Sequence, residues 1–330
     1  MSQWRNLVFS GGGIKGIAYV GALHELNEEG VLHDIKRVAG TSSGSITAAA
    51  VALGCTIEET YQILKETNFS NILDHDTFFI NNIYNLFKNY GWHKGKAFED
   101  WFRSIIKNKV GRDDVTFKDV PQIAGKYLYV TGTDLKYGIT QVFSHETHPD
   151  MGIAEAVQIS TSIPLFFQSV NHGGVQYVDG AVLRNYPINI FDNVKYVEDS
   201  RAAAEVDYAK GISGYVYNKE TLGFRLGSQE ETKADLNERG KVQRISGLVS
   251  YAWALVGSMF EAANRSHLHK NDWHRTIYLD SLGVKATDFS ITEEMTSRLI
   301  DSGKLGVQSY LKWFNDTSDI GGYPLNKVLG

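Results

Sequence analysis

Ile35-Lys36-Arg37-Val38-Ala39-Gly40-Thr41-Ser42-Ser43-Gly44-Ser45-Ile46-Thr47-Ala48-Ala49-Ala50-Val51-Ala52-Leu53 changes character twice along its length. Ile35 to Ala39 reads as a short strand, and Gly40 to Gly44 as a tight turn. Ser45 to Leu53, small and apolar, reads as a buried helix. The same order stands upstream. Leu7-Val8-Phe9-Ser10 is a short buried strand, Gly11-Gly12-Gly13 ends it, and Ile14 to Glu29 carries apolar residues at helical spacing until Gly30 stops the helix. Strand, turn and helix in repeated succession imply a parallel sheet with helices packed on it, its strands joined by right-handed crossovers. Both glycine turns then lie outside the carboxyl ends of their strands, where open α/β sheets bind ligands.

Gly40-x-Ser42-x-Gly44 between a strand and a helix has the form of a nucleophile elbow. The serine must sit on a sharp, strained turn with its Oγ clear of the backbone. The residues two before and two after it crowd their neighbours, so glycine suits both places. The following helix directs its positive N-terminus at Ser42. The bland alternative is a polar helix cap made by Ser42 or Ser43.

Gly11, Gly13 and Gly16 have the G-x-G-x-x-G spacing of a dinucleotide fingerprint. That motif also needs an acid at the tip of the second strand to hold the ribose, and here the second strand runs into Gly40-Thr41-Ser42. A P-loop fails because Ile17 follows Gly16. A nucleotide-binding module therefore stays a minor alternative. Bare backbone before a helix offers N–H groups to an anion, whether a phosphate or the oxyanion of a tetrahedral intermediate. Lys15 either adds charge there or is a helix-start cation.

A serine nucleophile needs a proton acceptor. In the order serine, aspartate, histidine, the candidates are Ser42, Asp179 and one of His267, His269 or His274. Those histidines sit in a strongly polar stretch that reads as surface, and His172 lies on a Gly173-Gly174 turn. Asp179 ends an apolar strand, Gln176-Tyr177-Val178, and Gly180 follows it. Burial would raise its pKa toward that of a working base. Read alone, Asp179-Gly180 is also a hairpin-turn dipeptide.

The rest of the chain sets bounds. Its 330 residues have room for a large core, and a net charge of −5 gives no electrostatic footprint for nucleic acid. Cys55, the sole cysteine, excludes an internal disulfide and a multi-cysteine metal site. No signal-peptide apolar region is visible, so a cytoplasmic chain is expected, with secretion lacking such a signal left open. Ile245 to Phe260 is uncharged but shorter than a membrane span and reads as a buried helix, a lipid-facing surface helix being the alternative. Asn68 to Lys96, rich in Asn and aromatics, is expected to be a lid or insertion. Helices are expected at Ile57 to Thr67, Phe98 to Lys109 and Gly152 to Ser160. Tyr127 to Thr133 and Ile139 to Ser144 read as a strand pair, and Thr276 to Leu279 as a late strand. A last helix over Thr292 to Phe314 has Ser290 and Glu293 spaced as a capping box.

Three elements now stand in order: Gly11-Gly12-Gly13-Ile14-Lys15-Gly16, Gly40-Thr41-Ser42-Ser43-Gly44, and Asp179-Gly180-Ala181. This set resembles the patatin-like phospholipase family, whose pattern is G-G-G-x-[K/R]-G, G-x-S-x-G and D-G-[G/A]. Thr131 to Leu135, Ser160 to Phe166 and Asn185-Tyr186-Pro187 resemble further segments of that family, and Gly303 in the last helix does so more loosely. The match covers roughly residues 5 to 190. The resemblance implies a three-layer α/β/α sandwich with a mostly parallel sheet, formed by residues 1–330 as a single domain whose stretch 191–330 completes the fold, regulates it or contacts lipid. It also implies a dyad without histidine: Ser42 as nucleophile and Asp179 as base. The first glycine turn, Gly11, Gly12 and Gly13, would form the oxyanion hole, supported by Lys15, Gly16, Gly40, Gly44 and Gly180. No metal and no cofactor are implied. The expected partner is membrane phospholipid met peripherally, with no nucleic acid; self-association and an activating ligand or partner stay open. Thioesterase or acyltransferase chemistry on the same site is the alternative.

Overall fold

The computed structural model describes residues 3–67, 91–93, 96–204, 214–227, 272–286 and 291–315, together with 251, 254–259, 263 and 288. Its central sheet has eight strands: β1 Asn6–Phe9, β2 Arg37–Gly40, β3 Tyr127–Asp134, β4 Ile139–Ser144, β5 Val170–His172, β6 Val175–Asp179, β7 Thr221–Gly227 and β8 Thr276–Asp280. Their order is β8-β7-β1-β2-β3-β6-β5, with β4 also paired to β3. The run β8-β7-β1-β2-β3 is parallel throughout, and β4, β5 and β6 add antiparallel pairings. The expected mostly parallel sheet is present. The stretch beyond residue 191 contributes β7 and β8, so β1 lies between an early neighbour and a late one.

Side chains alternate across a strand, and the alternation divides the interior in two. Leu7, Phe9, Val38, Leu128, Val130, Leu222 and Phe224 face a large core. Over it lie α1 Ala18–Glu28, α2 Ser43–Ala52, α3 Ile57–Glu66, α4 Lys96–Val110 and α5 Ile153–Thr161. Val8, Ala39 and Tyr129 face the other way, onto Tyr186, Ile188 and Phe191. Among the described residues that second face is covered by short 3-10 turns, Ile188–Phe191 and Val194–Tyr196. A four-residue helix, α6 Ala181–Arg184, leads into them. The long α7 Glu293–Asn315 lies against α1 so closely that a Cβ on Gly21 would fall on the Ile300 carbonyl, and one on Gly303 on the Ala18 carbonyl. Among the described residues no helix is long and apolar enough to cross a membrane.

Three details differ from the sequence expectation. The first helix does not run unbroken from Ile14: Gly13–Ile17 is a 3-10 turn and the α-helix begins at Ala18. Gly13 has φ +56, the Lys15 N–H donates to the Gly12 carbonyl, and the Ile14 N–H is drawn to Ala286 O at 3.3 Å. The last helix is capped by Thr292, whose Oγ1 accepts the Met295 N–H, and Glu293 is its first residue. Asp179-Gly180 opens α6 and is no hairpin turn. Most of Asn68–Lys96, most of Ile245–Phe260, and His267, His269 and Ser290 lie outside the described residues.

Candidate active site

Strand register brings the site together. β4 holds one edge of β3 from Tyr129 to Asp134. β2 therefore pairs with Tyr127 to Val130 on the other edge, and β6 with Gly132 to Asp134 on that same edge, running the opposite way. The two strands point at each other, with only Thr131 between their carboxyl ends. Thr131 Oγ1 meets Thr41 Oγ1 at 2.6 Å, and Gly180 passes so close to Thr131 that a Cβ there would fall on its Oγ1. The turn after β2 carries Ser42, and the end of β6 carries Asp179. Ser42 Oγ donates to Asp179 Oδ2 at 2.8 Å, across 137 positions of sequence.

Ser42 has φ 52 and ψ −128, a conformation that side chains rarely adopt. Its surroundings fix it there. The Ser42 N–H donates to Ser160 Oγ at 2.9 Å, and its carbonyl accepts Ser45 Oγ at 2.6 Å and Ser45 N–H at 2.8 Å. A Cβ on Gly44 would stand 2.5 Å from the carbonyls of Phe9 and Ser10, and one on Gly40 would fall on the Gly44 carbonyl. The turn is thus pressed between β1 and the start of α2, and the N-terminus of α2 faces Ser42.

Asp179 is fully buried. Oδ2 accepts from Ser42, and Oδ1 accepts the Ala181 N–H at 2.8 Å. Loss of hydration on burial pushes its pKa up to about 7, partly offset by these two hydrogen bonds. Of the histidines weighed from sequence, His172 pairs with Glu155 at 2.9 Å, and His274 is stacked on Trp273 with ring centroids 3.6 Å apart. The structure does not bring either to Ser42 or Asp179.

The first glycine turn lies against Ser42: a Cβ on Gly11 would stand 3.0 Å from Ser42 Cβ. The Gly11 N–H donates to the Asn185 carbonyl at 3.0 Å, and the Gly12 N–H donates to Ser43 Oγ at 3.1 Å. Gly16 packs on Ser43, and the Lys15 side chain is largely buried. The turn is tied to later chain by Ser10 Oγ, which accepts the Leu226 N–H at 3.2 Å. Beside it runs a narrow cleft lined by Gly13, Ser43 and the aliphatic side chains of Ile14, Ile17, Ile46 and Leu64. Sequence reasoning gave Ser43 only the role of an alternative helix cap, and gave Ser160 and Asn185 none. All three stand in quoted motif segments, which was the available signal. Leu226 and Ala286 act through backbone atoms and leave no such signal.

The profile of the patatin-like phospholipase family matches residues 7–192, a span that includes both glycine turns and Asp179. YqhO of Bacillus subtilis (strain 168), an uncharacterized protein, is 30% identical over 319 residues, 92% of this chain and 97% of YqhO. A protein of Invertebrate iridescent virus 6 named "Probable lipid hydrolase 463L" is 30% identical over 192 residues, which is 57% of this chain and 63% of the viral protein. VipD from Legionella pneumophila has the same fold, with a TM-score of 0.54 at 17% identity, covering 95% of this chain and 67% of VipD.

Proposed function

The chain belongs to the patatin-like phospholipase family, and from that premise we propose that it is a phospholipase A-type lipid acyl hydrolase, cleaving fatty-acyl esters of membrane phospholipids. One observation carries this reading: Ser42 Oγ, on a strained turn at a helix N-terminus, donates at 2.8 Å to a fully buried carboxylate. Asp179 takes the Ser42 proton as Oγ attacks the acyl carbonyl. The Gly12 and Gly13 N–H groups and the α2 N-terminus hold the oxyanion, Ser43 Oγ giving up the Gly12 N–H as substrate enters. The bond to the glycerol oxygen breaks, and Asp179 returns the proton to the departing lysolipid. Water, deprotonated by Asp179, then attacks the acyl-enzyme; the bond to Ser42 Oγ breaks, Asp179 returns the proton to Oγ, and the fatty acid leaves. The viral relative's name points to lipid. We take residues 1–330 to act as one catalytic unit at the membrane surface; the late strands β7 and β8 continue the sheet beyond β1, β7 pairing with it directly.

The test is lipid analysis of phosphatidylcholine and phosphatidylglycerol vesicles treated with the wild-type chain or with Ser42→Ala. Fatty acid and lysolipid are expected in equal amounts from the wild type alone. Equal release by both proteins sinks the proposal. An added short alcohol that diverts the acyl group into a new ester would mark a transferase.

A further inference from the structure

Asn185 holds Gly11 on both sides, at its N–H and at the carbonyl of the peptide joining it to Gly12. Asn185 accepts the Gly11 N–H on its backbone carbonyl at 3.0 Å, and Asn185 Nδ2 donates to the Gly11 carbonyl at 3.3 Å. The Asn185 side chain is buried, and its Oδ1 occupies the place that a Cβ on Gly11 would take. The Gly11 carbonyl and the Gly12 N–H share one planar trans unit, so they point in opposite directions. A donor that fixes the carbonyl therefore also fixes where the N–H points. With glycine on both sides the unit turns over easily; Ser43 Oγ holds its N–H end at 3.1 Å, and once that contact is given up to substrate the Asn185 bond at the carbonyl end is what remains. A hydrogen bond at the carbonyl end also polarises the unit and makes its N–H a better donor.

We infer that Asn185 is the positioning residue of the oxyanion turn, aiming the Gly12 N–H at the reacting carbonyl oxygen. The inference rests on the function proposed above, which uses that N–H. It also gives a task to Asn185-Tyr186-Pro187, the segment that follows the third motif. Asp179 and Asn185 bracket α6, so one short segment sets both the base beside Ser42 and the donor opposite it.

The test uses Asn185→Ala and Asn185→Asp in the full chain, with Asn185→Ser in reserve if the alanine variant does not fold. Aspartate keeps the shape, loses the Nδ2 donor and sets a carboxylate against the Gly11 carbonyl. On a soluble acyl ester kcat is expected to fall about 10- to 100-fold, more for Asp than for Ala, against about 100- to 1000-fold when an oxyanion donor is lost outright. KM should move little. Affinity for an alkyl boronic acid, whose tetrahedral adduct on Ser42 fills the same place, should fall by the same factor as kcat. The amide nitrogen shift of Gly12 should change in each variant, and this reads the peptide without turnover. A kcat loss with boronate affinity intact, or a Gly12 amide that does not respond, overturns the inference. A wild type that hydrolyses no ester would instead overturn the proposed function, and the Gly12 amide would still decide the clamp.

Discussion

Ser42→Ala and Asp179→Asn are each expected to lower kcat for acyl-ester hydrolysis by about 10⁴-fold or more, and the double variant by little more than the worse single one. The expectation follows from the sharing of one proton: either residue without the other has nothing to exchange it with. A double variant whose loss equals the product of the two single losses would show that they act independently. pH supplies a second reading. A base must be ionised to accept a proton, so kcat should rise with pH through the value near 7 set by burial of Asp179 and level off above it. Stability should move the other way. The folded-state pKa lies above the ordinary value of 3.8. Between about pH 4 and 7 the folded chain holds a proton that the unfolded chain releases, so stability is lost as pH rises through that window and is flat above it. Asp179→Asn should remove this slope and leave the inactive variant more stable at neutral pH, by an amount on the order of 2–4 kcal/mol. Urea denaturation at pH 5 and pH 8 checks it. An Asp179→Asn variant less stable than wild type at pH 8 contradicts the burial argument.

Arg275→Leu is expected to destabilise the chain by about 3–5 kcal/mol, the usual cost of removing one partner from a buried ion pair. Arg275 and its two carboxylates are almost wholly buried, and its Nη2 bonds Asp192 Oδ2 at 2.7 Å and Asp272 Oδ1 at 2.8 Å. Its guanidinium also bonds the Asn218 carbonyl at 3.0 Å and lies 4.1 Å from the centre of the Tyr217 ring. Without it two carboxylates remain in the interior with no cation between them. Replacing all three by apolar residues of similar volume should be far milder, because no charge is then stranded. Urea midpoints of the single and triple variants separate the cases. A single variant within about 1 kcal/mol of wild type would mean that water reaches the cluster and relieves the charges.

The sequence made one half of the site easy to read and hid the other half's geometry. Ser42 and its glycines are legible because a sharp turn between strand and helix admits few residue types, and backbone crowding at Gly40 and Gly44 is the physical reason. Asp179 is legible as a residue, through its apolar strand and the glycine after it. What could not be read is that β6 runs antiparallel into the end of β2, since direction within a sheet leaves no mark on a five-residue strand. Strand β7 escaped for another reason. Thr221-Leu222-Gly223-Phe224-Arg225-Leu226-Gly227 carries glycines that a lone strand disfavours, yet the Tyr186 hydroxyl lies where a Cβ on Gly223 would stand. The reason for the residue lies 37 positions upstream, outside any local pattern. The Arg275 cluster was equally silent, its members being scattered polar residues with no shared period.

The position of β1 between β2 and β7 bears on when the enzyme becomes competent during its own synthesis. The elbow serine leaves the ribosome early and its aspartate much later, yet even then the glycine turn is unfinished. Ser10 still awaits the Leu226 N–H and Ile14 the Ala286 carbonyl. On the function proposed above, a chain assembled in this way stays inert until residues 226 and 286 have been made and have joined the turn.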